Sequence, residues 1–68
     1  MYATNKLTNR EIQILECLKT GLPNESIAKM TMLSVSSIKF YISSIISKLY
    51  ARNRTNAIYI AVRDGFIS

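Results

Sequence analysis

The sequence predicts an all-α domain, a four-helix bundle with a helix-turn-helix. Three observations predict it. Apolar residues recur at spacings of three and four. Ser, Thr or Asn precedes each apolar run, as a helix N-cap does. The 68 residues hold only two glycines and one proline, too few punctuators for a many-stranded sheet. Hydrophobic residues make up 49% of the chain, which suits a compact globule. A chain this short forms one domain, 7–68, behind a polar tail, Met1–Lys6.

The first helix is expected at about 9–20. Thr8 and Glu11 have capping-box spacing, in which each side chain bonds the other residue's backbone N–H. Leu7 is placed to staple onto the helix. Ile14, Leu15, Leu18 and Leu22 form its apolar stripe, and Gly21 suits the left-handed residue past its end. The second helix, about 25–31, is short. Asn24 is its expected N-cap, Glu25 suits the positive end of its dipole, and Ile27 and Ala28 face inward.

Ser34 caps the third helix, about 35–50, whose inward stripe is Ile38, Tyr41 or Ile42, Ile45 and Leu49. Asn53 caps the fourth, about 54–64, with Ala57, Ile58 and Ala61 inward and Gly65 at its end.

A short helix, a tight turn and a longer helix make the motif that reads DNA. Its constraints are steric. Ala28 is small where the two helices cross, Leu33 anchors the chain after the turn, and Ile38 fills the angle between the helices. Glycine often takes the left-handed residue of the turn. Met32 stands there instead, with an expected strain of roughly 1 kcal/mol.

The net charge is +5, and its distribution says more than the total. Between Glu25 and Asp64 there is no acid, while Lys29, Lys39, Lys48, Arg52, Arg54 and Arg63 all fall there. Such a field attracts polyanions, either nucleic acid or anionic lipid. A basic membrane-active peptide would be one uninterrupted amphipathic helix, whereas caps and turns cut this chain into four. No apolar run is long enough to span a bilayer, so no membrane partner is expected. Met1–Lys6 lacks a signal peptide's apolar stretch, so a cytoplasmic address is expected.

Catalysis is not expected. There is no histidine, no Gly-rich phosphate loop and no suggestive pair of carboxylates. Cys17 is the sole cysteine, with no disulfide partner and no histidine base, and is expected to pack as a small apolar group. A zinc site has too few ligands, and no cofactor is expected.

Residues Leu7-Thr8-x-Arg10-Glu11, Gly21-Leu22-x-Asn24-x-x-Ile27-Ala28, Ser34, Ile38-Lys39, Ile45, Lys48-Leu49, Arg54 and Ala57 resemble the LuxR/NarL/FixJ (GerE-like) DNA-binding domain. The match runs without a gap from Leu7 to Ile67. The resemblance implies a four-helix domain that binds DNA as a dimer, with the third helix in the major groove and the fourth often pairing subunits. It also implies a transcription regulator, or the output domain of a two-component response regulator, with RNA polymerase as a further partner. Most members carry a receiver or sensing domain ahead of this one. Where the family usually has Glu, Leu, His, Asn and Gly-Val, this chain has Ser26, Thr31, Tyr41, Ser44 and Tyr50-Ala51. At Thr31 the lost core volume would be filled by Met30 or Met32.

The expected DNA-binding residues are Asn24, Ser36, Ser37, Lys39, Phe40, Ser43 and Lys48. Lys39 can donate to guanine or phosphate, and Phe40 can meet a thymine methyl or pack against the second helix. Ser43 can touch a base. Ser36 and Ser37 lie in a helix's first turn, where freed N–H groups hold phosphate, and Asn24 heads another such turn. Lys48, with Arg52, would meet phosphate. Arg54 has a rival role as ion-pair partner of an acid such as Glu11. A dimer interface is expected at Asn56, Tyr59, Ile60 and Arg63, whose two-fold symmetry would require an inverted repeat in the DNA. The alternative is a protein-interaction module that keeps the fold without reading bases.

Overall fold

The computed structural model describes residues 7–68, so the expected tail Met1–Lys6 lies outside the described residues. Four helices follow in order: α1 (Asn9–Lys19), α2 (Asn24–Thr31), α3 (Val35–Lys48) and α4 (Arg54–Arg63), with no strand among the described residues.

The core is aliphatic. Ile14, Leu15 and Leu18 of α1, Ile27 and Ala28 of α2, Ile38, Ile42 and Ile45 of α3, and Ala57 and Ala61 of α4 are buried together, with Leu49 and Ile67 closing the ends. Ile42, not Tyr41, occupies the α3 stripe; Tyr41 lies partly buried at its edge. Ile58 likewise packs only at the rim of the α4 face. Cys17 is half-buried against the core. Small Ala28 lets α2 approach α3, and the two helices meet at a bend of 102°, within the helix-turn-helix range. Among the described residues no single helix is long and apolar enough to cross a membrane.

The starts of the helices follow local chemistry. Thr8 accepts from the Glu11 N–H, and Glu11 Oε1 accepts from the Thr8 N–H, closing the capping box. Ser34 accepts from the Ser37 N–H, and Asn53 from the Asn56 N–H. The expectation for α2 is corrected. Pro23 is its N-cap, and Asn24 is already helical. Pro23 takes an extended conformation (φ −71°, ψ 159°), and its carbonyl accepts from the Ser26 and Ile27 N–H groups. The side chain of Asn24 is thereby released from capping.

All four helices end alike. The residue after the final turn takes positive φ, and the next N–H reaches back to a carbonyl of the last turn: Leu22 to Cys17, Leu33 to Ala28, Ala51 to Ile46 and Phe66 to Ala61. This is the Schellman closure. Gly21 and Gly65 supply the left-handed residue at two ends, with φ +87° and +84°. Met32 and Tyr50 supply it at the others, with φ 59° and 54°. Tyr50 is why α3 stops at Lys48 rather than running to 50.

Thr31 is itself buried, and its hydroxyl donates to the Ile27 carbonyl at 2.8 Å. Neither methionine replaces the missing volume: Met30 and Met32 both point into solvent, Met32 at 92% exposure. Arg10 donates to the Thr31 carbonyl at 3.1 Å and ties α1 to the end of α2.

Candidate nucleic-acid interface

At 100° per residue, the fourteen residues of α3 sort into stripes. Ile38, Ile42 and Ile45 face the core. Diametrically opposite lie Ser36, Phe40, Ser43 and Ser47, all exposed, with exposed Lys39 beside them. Phe40 is 69% exposed, so it does not pack against α2. Its ring meets the edge of Tyr41, with centroids 5.8 Å apart and planes at 72°. No acid lies on this face. Ser47 extends the stripe by the same spacing rule that gives Ser36, Phe40 and Ser43, and the sequence reading missed it.

The flank toward α1 carries a different stripe: Ser37, Tyr41, Ser44 and Lys48. Ser44 Oγ donates to Glu11 Oε2 at 2.9 Å, and Lys48 Nζ donates to Glu11 Oε1 at 2.9 Å. Glu11 is only 3% exposed. Burial pushes its pKa up, but the bonds from the Thr8 N–H, Lys48 and Ser44 together outweigh that and hold the carboxyl below its ordinary value. Every buried side-chain oxygen and nitrogen among the described residues has a partner.

These contacts correct the expected partner of Glu11 and give Lys48 and Ser37 bonds within the fold. Lys48 is paired with Glu11, because one turn of α3 brings it over the start of α1, and a third of its side chain remains exposed. Arg54 is not the partner of Glu11. It sits at the start of α4 and donates to Asn24 Oδ1 at 3.2 Å. Ser37 is half-buried, and its hydroxyl accepts from the Ser34 hydroxyl at 3.1 Å. Of the seven expected contact residues, the structure brings Ser36, Lys39, Phe40 and Ser43 onto one face. Asn24 lies at the head of α2, beside the Arg54 guanidinium.

On α4 the buried pair Ala57 and Ala61 defines the inner side. Tyr59 is centred opposite, flanked by Thr55, Val62 and Arg63, all exposed. The Arg63 guanidinium lies 5.9 Å from the Tyr59 ring centre and also pairs with Asp64 at 2.8 Å. The other two expected interface residues sit differently. Ile60 is half-buried against the core, because it follows Ala57 by one turn less a residue. Half-buried Asn56 accepts from the Arg52 N–H at 3.0 Å within the α4 cap. Val62 is the exposed apolar neighbour of Tyr59 that the sequence reading missed.

Residues 5–61 match the model of the GerE family, "Bacterial regulatory proteins, luxR family". Over 59 residues the chain is 44% identical to the transcriptional regulatory protein LnrK of Bacillus subtilis, covering 87% of this chain and 27% of that protein. It is 37% identical over 60 residues to the uncharacterized transcriptional regulatory protein YxjL of the same organism, covering 88% and 28%. The response regulator protein VraR of Staphylococcus aureus is 34% identical over 61 residues, covering 90% and 29%. The chain thus spans under a third of the length of these relatives. With the motif's Ala28, Leu33 and Ile38 in place and the outer stripe of α3 exposed beside Lys39, the chain belongs to the luxR family of bacterial regulatory proteins, as a DNA-binding helix-turn-helix domain.

Proposed function

We propose that the chain binds double-stranded DNA sequence-specifically, with α3 in the major groove, and regulates transcription as a dimer. The observation that carries this is the outward stripe of α3. Ser36, Phe40 and Ser43, with Lys39 beside them, stand in solvent opposite the core, so they reach a groove without disturbing the fold. Lys39 supplies positive charge to guanine or phosphate. The head of α2, with Pro23 as a cap that has no side-chain bond and Arg54 held by Asn24, suits a phosphate.

Dimerisation is assigned to the outer face of α4. Tyr59 and Val62 form its apolar centre, with Arg63 and Thr55 around them. One helix per subunit gives a small interface, so pairing in solution is weak and is completed on an inverted repeat. Relatives named as transcriptional regulatory and response regulator proteins support a place in gene control. RNA polymerase is proposed as a further partner.

Selection from a random duplex pool at about 0.1 M salt, followed by a salt series on the winning site, tests the proposal. Enrichment of an inverted repeat, with affinity falling steeply as salt rises, is expected. Salt-sensitive binding with no enriched sequence would overturn base reading. An enriched site without two-fold symmetry would overturn the dimer.

A further inference from the structure

We propose that α3 selects half-sites by their thymine methyl groups, and that Phe40 is the residue that reads them. The inference rests on α3 being the groove helix and adds what kind of base it prefers.

Arg or Lys grips guanine and Asn or Gln grips adenine with two hydrogen bonds, and Asp or Glu accepts from cytosine. Of these, only Lys39 occurs from Ser34 to Ser47. The outward stripe offers instead three short hydroxyls and one ring. A serine hydroxyl both donates and accepts, so it discriminates little between base pairs. Lys39 donates to guanine or phosphate alike. The ring is the one apolar group on the stripe, and the single apolar feature of the major groove is the C5 methyl of thymine.

The geometry favours that contact. Phe40 lies one turn from Ser36 and from Ser43, so it is the tallest side chain at the centre of the stripe. An edge-type contact with Tyr41, with ring centroids 5.8 Å apart, gives the ring an aromatic neighbour on one side while 69% of the residue stays exposed to a groove. Placed against cytosine, the same ring would strip water from an amino group and return no hydrogen bond.

The test takes the duplex enriched by selection and replaces each thymine with uracil in turn, which removes only the methyl group. Wild-type affinity is expected to fall about fourfold at one or two steps of each half-site, the fold-change for losing one buried carbon. Phe40→Ala is expected to bind the thymine duplex with that loss already present, and to be indifferent to uracil at those steps. Far-UV circular dichroism checks that Phe40→Ala keeps its helices, as its exposure predicts. If no uracil replacement weakens the wild type while Lys39→Ala still does, DNA reading stands and methyl reading is overturned. A Phe40→Ala variant that still loses affinity at the same steps assigns the methyl contact elsewhere and overturns the role of Phe40. Failure to enrich any sequence removes both this inference and the base-reading function beneath it.

Discussion

Two neighbouring stripes of α3 have nearly the same composition. Ser37, Tyr41, Ser44 and Lys48 form one, and Ser36, Phe40, Ser43 and Ser47 the other. Each holds an aromatic ring and at least two serines. The first is locked into the fold through Glu11, which takes a hydrogen bond from Ser44 and an ion pair from Lys48. The second stands in solvent. The difference is made by another helix. Glu11 is fixed by its own capping box at the start of α1, and its buried oxygens accept whatever donors α3 presents to that side. Serine is thus structural on one stripe and displayed to solvent on the other, where exposed Lys39 stands beside it. Substitutions should sort the same way: the inner stripe governs stability, the outer one binding.

The largest effect is expected from Glu11→Ala. It removes half of the capping box and the carboxylate to which Ser44 and Lys48 donate. Breaking a fully buried pair costs roughly 3–5 kcal/mol, but Lys48 keeps 33% of its side chain in water, so about 2 kcal/mol is expected. Thermal unfolding should show a fall of roughly 10 °C. The carboxyl is depressed in the folded state, so its contribution is complete above the ordinary glutamate range and disappears as pH falls through the lowered value. Glu11→Gln should flatten that acid limb of the stability curve. An unchanged acid limb in Glu11→Gln would mean that the α1–α3 bridge does not set the inner stripe apart.

Lys39→Ala should do the reverse. Stability should change by no more than about 0.5 kcal/mol, because the side chain is exposed. Affinity for the selected duplex should drop about tenfold if Lys39 grips guanine, or fall uniformly with a salt slope shallower by about one if it grips phosphate. A Lys39→Ala protein that unfolds easily but binds normally would erase the distinction between the stripes.

The smallest expected effect concerns the turn that delivers α3. Gly21 and Gly65 close α1 and α4 at no steric cost, whereas Met32 closes α2 with φ 59° and its side chain in water. Met32→Gly removes about 1–2 kcal/mol of left-handed strain and adds back part of it as backbone entropy. A net gain of about 0.5–1 kcal/mol, seen as a Tm higher by several degrees, is expected. A lower Tm would show that exposed Met32 contributes a contact that its position does not suggest.

The sequence by itself determined the number, order and type of the helices. Their signals are local: the Thr8–Glu11 box, the Ser34 and Asn53 caps, glycine at positions 21 and 65, and the spacing of the isoleucines. It also placed Ala28, Leu33 and Ile38 where the motif needs them, and the outward serines and Phe40 on one face, since helical periodicity fixes both sides of a helix at once.

What only the tertiary structure decided is which polar groups meet across helices. Glu11 was legible as a cap but not as the acceptor for Lys48, and Arg54 was legible as a basic residue but not as the partner of Asn24. Charge and spacing leave several partners possible for each group. The choice depends on the angles at which α1, α3 and α4 cross, and those angles follow from how the aliphatic core packs.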